Sequence, residues 1–181
     1  PITVDIDAGP LSLPTRTMKL GKLARENFCL SIPDMRNGRA VVRTIKGARF
    51  NTWSEIEVEL RDGYAVIPAT VSVMTVIHRH GRNQRGPQTA IIEGWGRWGG
   101  AYATSYSHDS HNLVVYGHDP DEMALAANTV VTMGGGNAVV RHGKVVASTA
   151  FPVAGLLSAK PPLEVAREHR VPLELVVVAR A

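Results

Sequence analysis

The sequence predicts an α+β domain, a mostly antiparallel sheet with helices packed on one face. Three observations carry this. Ile56-Glu57-Val58-Glu59-Leu60 alternates strictly between apolar and charged residues, and Asp62-Gly63 separates it from Tyr64-Ala65-Val66-Ile67, which is the pattern of a hairpin. His142-Gly143 divides residues 138–141 from residues 144–148 in the same manner. Between the hairpins, Asp119-Pro120-Asp121-Glu122 opens a helix: Asp119 can accept orphan amides, Pro120 suits the first helical position, and Glu122 stands where a capping box places its acid.

Taken in order, residues 1–38 carry Pro10, Pro14 and Pro33 without sustained alternation, so they are expected to form a partly irregular lead-in with one short helix over 16–27. The domain itself is expected over 39–181. Strands are predicted over 40–45, through the 56–67 hairpin, and over 71–77, the last delivering the chain into His78-Arg79-His80-Gly81. A polar loop follows over 81–88. The stretch 94–100 is rich in Gly and Trp, and residues 113–116 read as a buried strand. The helix from Pro120 should run to about Met133. Met123, Leu125, Ala126, Ala127, Val130 and Val131 make it apolar around much of its circumference, so it is expected against a sheet, and Gly134-Gly135-Gly136 ends it. A short helix over 163–169 and a strand over 173–178 follow.

The chain has 181 residues, 44% hydrophobic and 20% charged, enough for one domain with a real core. Its 20 Lys and Arg exceed its 16 Asp and Glu by four and form no run longer than two, which argues against a nucleic-acid surface. Cys29 is the single cysteine; it can close no intrachain disulfide and fits a reducing compartment, so the cytoplasm is expected. No apolar run approaches the roughly 18 residues of a membrane helix, and the opening residues lack the regions of a signal peptide. Neither nucleic acid nor membrane is expected as a partner. Pro1 fits either a removed initiator Met or an excerpt from a longer chain.

Histidine carries the candidate chemistry. His108, Asp109, Ser110, His111 and Asn112 place five bonding or ligating side chains in five consecutive positions, just before a buried strand. On a bend, both imidazoles can face one target, a metal or a polar substrate. The alternative is that Asp109, Ser110 and Asn112 cap a turn through local amides and leave both rings exposed. His78 and His80 form a second pair that shares a face if the preceding strand continues. No acidic third ligand accompanies them. His118, His142 and His169, in turns or at a helix end, read as solvated. Trp95 and Trp98 either stack on a heterocycle or anchor the packing. Zinc-type Cys pairs, a nucleophile elbow, a phosphate loop and a dinucleotide fingerprint are all absent.

The runs Gly94-Trp95-Gly96-Arg97-Trp98-Gly99-Gly100-Ala101-Tyr102-Ala103-Thr104-Ser105 and Ser107-His108-Asp109-Ser110-His111-Asn112 resemble the C-terminal domain of bacterial adenine deaminases of the amidohydrolase superfamily. Arg79-His80-Gly81, the Asp121-to-Asn128 helix pattern, Gly134-Gly135-Gly136, His142-Gly143-Lys144-Val145 and Pro152-x-Ala154-Gly155-Leu156-x-Ser158 follow in the family's order. The resemblance spans about residues 39–166. The first three dozen residues and the tail from Val171 show no such likeness.

This resemblance implies a parent enzyme in which a TIM-type barrel holds a divalent metal (manganese, iron or zinc) and hydrolyses adenine, or a related amino-heterocycle, to hypoxanthine and ammonia. The barrel is absent from this chain, and no metal role is transferred to His78 or His80. What the segment would supply is a second wall of the site. His108, Asp109, Ser110 and His111 are the catalytic candidates, with Arg79, His80, Trp95 and Asn112 as substrate-binding or supporting groups. The implied partners are the barrel domain and further copies of the chain. The competing expectation is a free-standing, non-catalytic remnant that binds a small molecule or a protein.

Overall fold

The computed structural model describes residues 13–47, 50–82, 85–95, 97–169 and 177–178. In chain order the strands are β1 (Gly38–Lys46), β2 (Thr52–Arg61), β3 (Tyr64–Val66), β4 (Ser72–Ile77), β5 (Gln88–Glu93), β6 (Arg97–Trp98), β7 (Ala101–Thr104), β8 (Leu113–Gly117), β9 (Gly136–Arg141), β10 (Lys144–Ala150) and β11 (Val177–Val178). The helices are α1 (Pro120–Thr132) and α2 (Pro162–His169). Residues 173–176 of the expected last strand lie outside the described residues, among which β11 pairs only with β6.

Among the described residues, nine strands join in one sheet, ordered β10-β9-β7-β8-β4-β5-β1-β2-β3. Every neighbouring pair is antiparallel except β1 and β5. The expected class, a mostly antiparallel α+β sheet, is the class observed. Both anticipated hairpins have the turn their residues favour: Asp62 and Gly63 sit at φ 51° and 88°, and His142 and Gly143 at 52° and 68°. Two successive left-handed residues match the twist of the flanking strands.

The core lies between this sheet and α1. Val73, Ile77, Ala101, Ala103, Leu113, Val115, Ala138 and Val140 face Met123, Ala126, Ala127 and Val130 of the helix. Alanines on both sides let the helix approach the sheet closely. This explains β7, which was not anticipated from sequence, since Ala101 and Ala103 have weak strand preference but the right size to lie under α1. β5 was also not anticipated, because its apolar residues do not alternate.

Asp119 caps α1 by accepting from the amides of Asp121 and Glu122, at 2.8 and 3.1 Å. Glu122 does not fold back on the cap. Its Oε1 accepts from the Gly143 amide at 2.9 Å, tying the start of α1 to the β9–β10 turn.

The short helix expected over 16–27 is not present; only a 3₁₀ turn, Arg25–Phe28, forms. Tertiary bonds claim the backbone instead. Asn128 of α1 accepts from Leu23 N through Oδ1 (2.9 Å) and donates to Leu23 O through Nδ2 (2.8 Å), and Lys19 N donates to Arg79 O (2.7 Å). The lead-in is thereby laid across the helix, where Leu23 and Phe28 join the core. Asn128→Ala leaves both Leu23 groups unpaired and should cost about 1–3 kcal/mol. Urea denaturation checks this; a loss too small to measure would mean water replaces the side chain.

Candidate functional site

β4 ends at Ile77, so the expected continuation that would align His78 and His80 on one strand face does not occur. The carbonyl of Arg79 is engaged by Lys19 N, which takes the chain out of the ladder. The two rings still meet edge to face, with centroids 5.4 Å apart.

Arg79, between them, is 1% exposed. Its Nε donates to the His111 carbonyl (2.5 Å), one Nη to Thr17 Oγ1 (2.8 Å) and the other to the Ala154 carbonyl (2.9 Å). These acceptors belong to three separate segments, and among the described residues no carboxylate pairs with the cation. Beside it, Ser105 Oγ accepts from Gly136 N (2.7 Å) and donates to Gly155 O, which binds the ends of β7 and β9 to the turn after β10. A Cβ on Gly155 would stand 2.5 Å from Arg79 Nη1, so the guanidinium is seated against bare backbone.

The Ser107–Asn112 loop rests on this seat. His111 N donates to Ser107 O (2.7 Å), and Asp109 and His111 take φ of 67° and 47°, an unusual conformation for side-chain-bearing residues. His108 Nδ1 lies 3.0 Å from Asp109 Oδ1, and both side chains are exposed. The Asp109 carboxylate thus orients an imidazole; among the described residues the only capping contact from the cluster's side chains to a local amide is Ser110 Oγ to Asn112 N, at 3.4 Å. His111 is half-buried, its ring tilted against Tyr106 at 6.1 Å. Three buried atoms, His78 Nδ1, His111 Nδ1 and Asn112 Oδ1, have no hydrogen-bond partner among the described residues.

His80 borders the same group, its imidazole acted on by the Ser110 backbone of the loop. Burial draws its imidazole below the ordinary histidine range, the charges of Arg79, His78 and Arg82 push the same way, and the Ser110 backbone opposes them.

A family model described as "Adenine deaminase C-terminal domain" matches residues 49–176. The chain belongs to this family. An adenine deaminase of Klebsiella pneumoniae (strain 342) is 50% identical over 157 residues, covering 87% of this chain and 26% of the relative. An adenine deaminase of Serratia proteamaculans (strain 568) is 49% identical over 166 residues, 91% of this chain and 28% of the relative. Adenine deaminase 2 of Rhizobium meliloti (strain 1021) is 45% identical over 150 residues, 83% of this chain and 25% of the relative. The chain spans about a quarter of the length of these relatives. The match to the adenine deaminase C-terminal domain also reaches ten residues beyond the expected limit at 166, into the tail.

Within this family domain, Arg79, His80, His108, Asp109, Ser110, His111 and Asn112 converge at one end of the sheet. Trp95 does not join them. It stacks on Tyr116 (6.0 Å, 16°) toward the far end of β8, where Tyr116 also meets Trp98 and Tyr102 on the face away from α1. His142 is exposed in its turn, His118 is half-buried with Nδ1 3.2 Å from Val71 O, and the His169 side chain lies outside the described residues. A separate cavity of about 380 Å³, lined by Phe28, Cys29, Tyr64 and His118 among others, contains none of the predicted site residues. Ser105, Tyr106 and Thr17 belong to the site without having been expected there; the first two adjoin the histidine motif, whereas Thr17 carries no signal in the sequence.

Among the described residues no group of three His, Cys, Asp or Glu side chains can hold a metal ion, so the donor set here does not fit the divalent metal that the resemblance implies. None of the described helices is long and apolar enough to cross a membrane.

Because the His80 pKa is lowered on folding, the unfolded chain takes up a proton first on acidification. Its contribution to stability is complete above about pH 6.5 and is lost as pH falls through the folded value. Denaturation midpoints should fall from about pH 7 to pH 5, and His80→Gln should flatten that slope. Equal slopes would contradict the assignment.

Proposed function

We propose that this chain is the substrate-covering domain of an adenine-deaminase-like aminohydrolase, and that the Ser107–Asn112 loop faces the reacting ring when the catalytic domain is present. In the reaction water adds at the purine C6, the C–N bond breaks, and ammonia leaves to give hypoxanthine. The observation that carries the reading is the His108–Asp109 pair, exposed on a loop fixed from beneath by buried Arg79.

Asp109 holds the Nδ1 proton of His108, which leaves Nε2 as the atom that takes a proton from the attacking water or returns one to the departing amine. His111 and Asn112 flank it, and Ser110 adds a hydroxyl. Arg79 and His80 support the loop, and Arg79, with every nitrogen turned to protein acceptors, does so without touching substrate. Any divalent metal is held by the catalytic domain, and no step assigned to this chain depends on it. The cytoplasm remains the proposed compartment.

The pure chain should not convert adenine to hypoxanthine when supplied with manganese, iron or zinc; turnover free of host enzyme would contradict the proposal. His108 and His111 changed to Asn or Gln should alter stability by no more than about 0.5–1 kcal/mol. The same changes at the aligned positions of a full-length relative should lower turnover by roughly a hundredfold or more. Near-normal turnover after both replacements removes the catalytic assignment and favours a non-catalytic binding domain.

Self-association is the second expectation. Val41 and Trp53, 66% and 72% exposed, lie by register on the same sheet face as Tyr102 and Tyr116, away from α1. Arg39, Arg43, Glu55 and Glu57 share that face by the same register, so exposed apolar side chains stand there among charged ones, the make-up of a surface patch that marks an interface, and a symmetric dimer is expected. Light scattering that finds a monomer at every accessible concentration would contradict it.

A further inference from the structure

A buried cation without a counter-ion is costly, and in many proteins an apolar side chain of equal volume serves stability as well or better. Arg79 is such a cation, since its acceptors among the described residues are neutral: two carbonyls, a hydroxyl and, at 3.7 Å, the Met18 sulfur. An apolar residue in its place could fill the volume. It could not reproduce a planar fork with five donors in fixed relative directions.

Those directions meet three segments distant in sequence: Thr17 in the lead-in, His111 in the candidate loop, and Ala154 in the turn after β10. Ala154 and Gly155 both take left-handed backbone, at φ 55° and 72°, which turns the Ala154 carbonyl toward the guanidinium and keeps Gly155 clear of it. His111, whose carbonyl receives Nε, is also left-handed. Because it bears a side chain, its own preference would draw it elsewhere.

We propose that Arg79 is the positioning residue of the Ser107–Asn112 loop: by holding the His111 carbonyl against Thr17 and Ala154, it fixes the left-handed turn that points the His111 ring and the Asn112 side chain. Its catalytic consequence rests on the function proposed above. The positioning itself does not, and it is read from this chain alone.

The test compares Arg79→Lys and Arg79→Met with the unmodified chain by nuclear magnetic resonance. It follows the histidine ring signals together with amide hydrogen exchange. Both variants should leave exchange in α1 and the β9–β10 hairpin unchanged. Exchange of the His111 amide, which donates to Ser107, should speed by roughly tenfold or more, and the His111 ring signals should move. Lysine should not rescue, because one ammonium on a flexible stem cannot span three acceptors in the same geometry. A folded variant with wild-type His111 ring signals and exchange overturns the proposal.

If both variants fail to fold, Gly155→Ala decides the question. It keeps the cation and crowds Nη1, so it should produce the same local loosening of residues 107–112; an unchanged loop overturns the proposal. No turnover is measured, so failure of the deaminase reading and failure of this inference are separable.

Discussion

One end of the sheet depends on where the Arg79 guanidinium finds its acceptors. β4, β7 and β9 all end or begin there, and none of their ladders reaches the lead-in, the Ser107–Asn112 loop or the turn at Ala154. Arg79 joins all three. Ser105 adds the neighbouring tie between Gly136 and Gly155, and the close approach of Gly135 to Gly155 leaves no room for side chains between them. A neutral hydrogen bond contributes about 1 kcal/mol, and one from a charged donor about 1.5–3. Several such bonds offset the desolvation of one cation, with little surplus for stability. What the arrangement supplies is direction.

That division of labour explains the uneven chemistry of the molecule. The face under α1 is small and apolar and provides the packing. The histidine end is polar, takes left-handed backbone at Asp109 and His111, and holds three of the buried polar atoms without partners among the described residues, Trp98 Nε1 and Arg141 Nε lying elsewhere. Three unpaired buried atoms gathered beside one loop are groups whose missing bonds a ligand or a partner surface can supply. The aromatic group of Trp95, Trp98, Tyr102 and Tyr116 lies toward the other end of β8 and is better suited to packing against a large surface than to chemistry.

Much of the fold was legible because it rests on local signals. Asp62-Gly63 and His142-Gly143 name their turn type, and Asp119-Pro120 names a helix start. The failures share a cause. The lead-in is shaped by Asn128, about a hundred residues away, and by Arg79 rather than by its own spacing. β7 forms because alanines fit under α1, a requirement set by the partner and not by strand propensity. In the candidate site, the density of polar residues from His108 to Asn112 was visible, as was its family likeness. The burial of Arg79 and the distance of Trp95 from the histidines were not, since a basic residue between two histidines and a Trp in a Gly-rich turn carry no sign of which end of a sheet they will occupy.

The central claim, that the Ser107–Asn112 loop covers the reacting ring, is tested most directly by a crystal structure of a full-length relative, such as the Klebsiella pneumoniae adenine deaminase at 50% identity, with an adenine analogue bound. The loop aligned with Ser107–Asn112 should close over the ring, with a polar side-chain atom within about 3 Å of the analogue or one water away from it. A loop turned toward solvent, with no side chain near the bound ring, would contradict it.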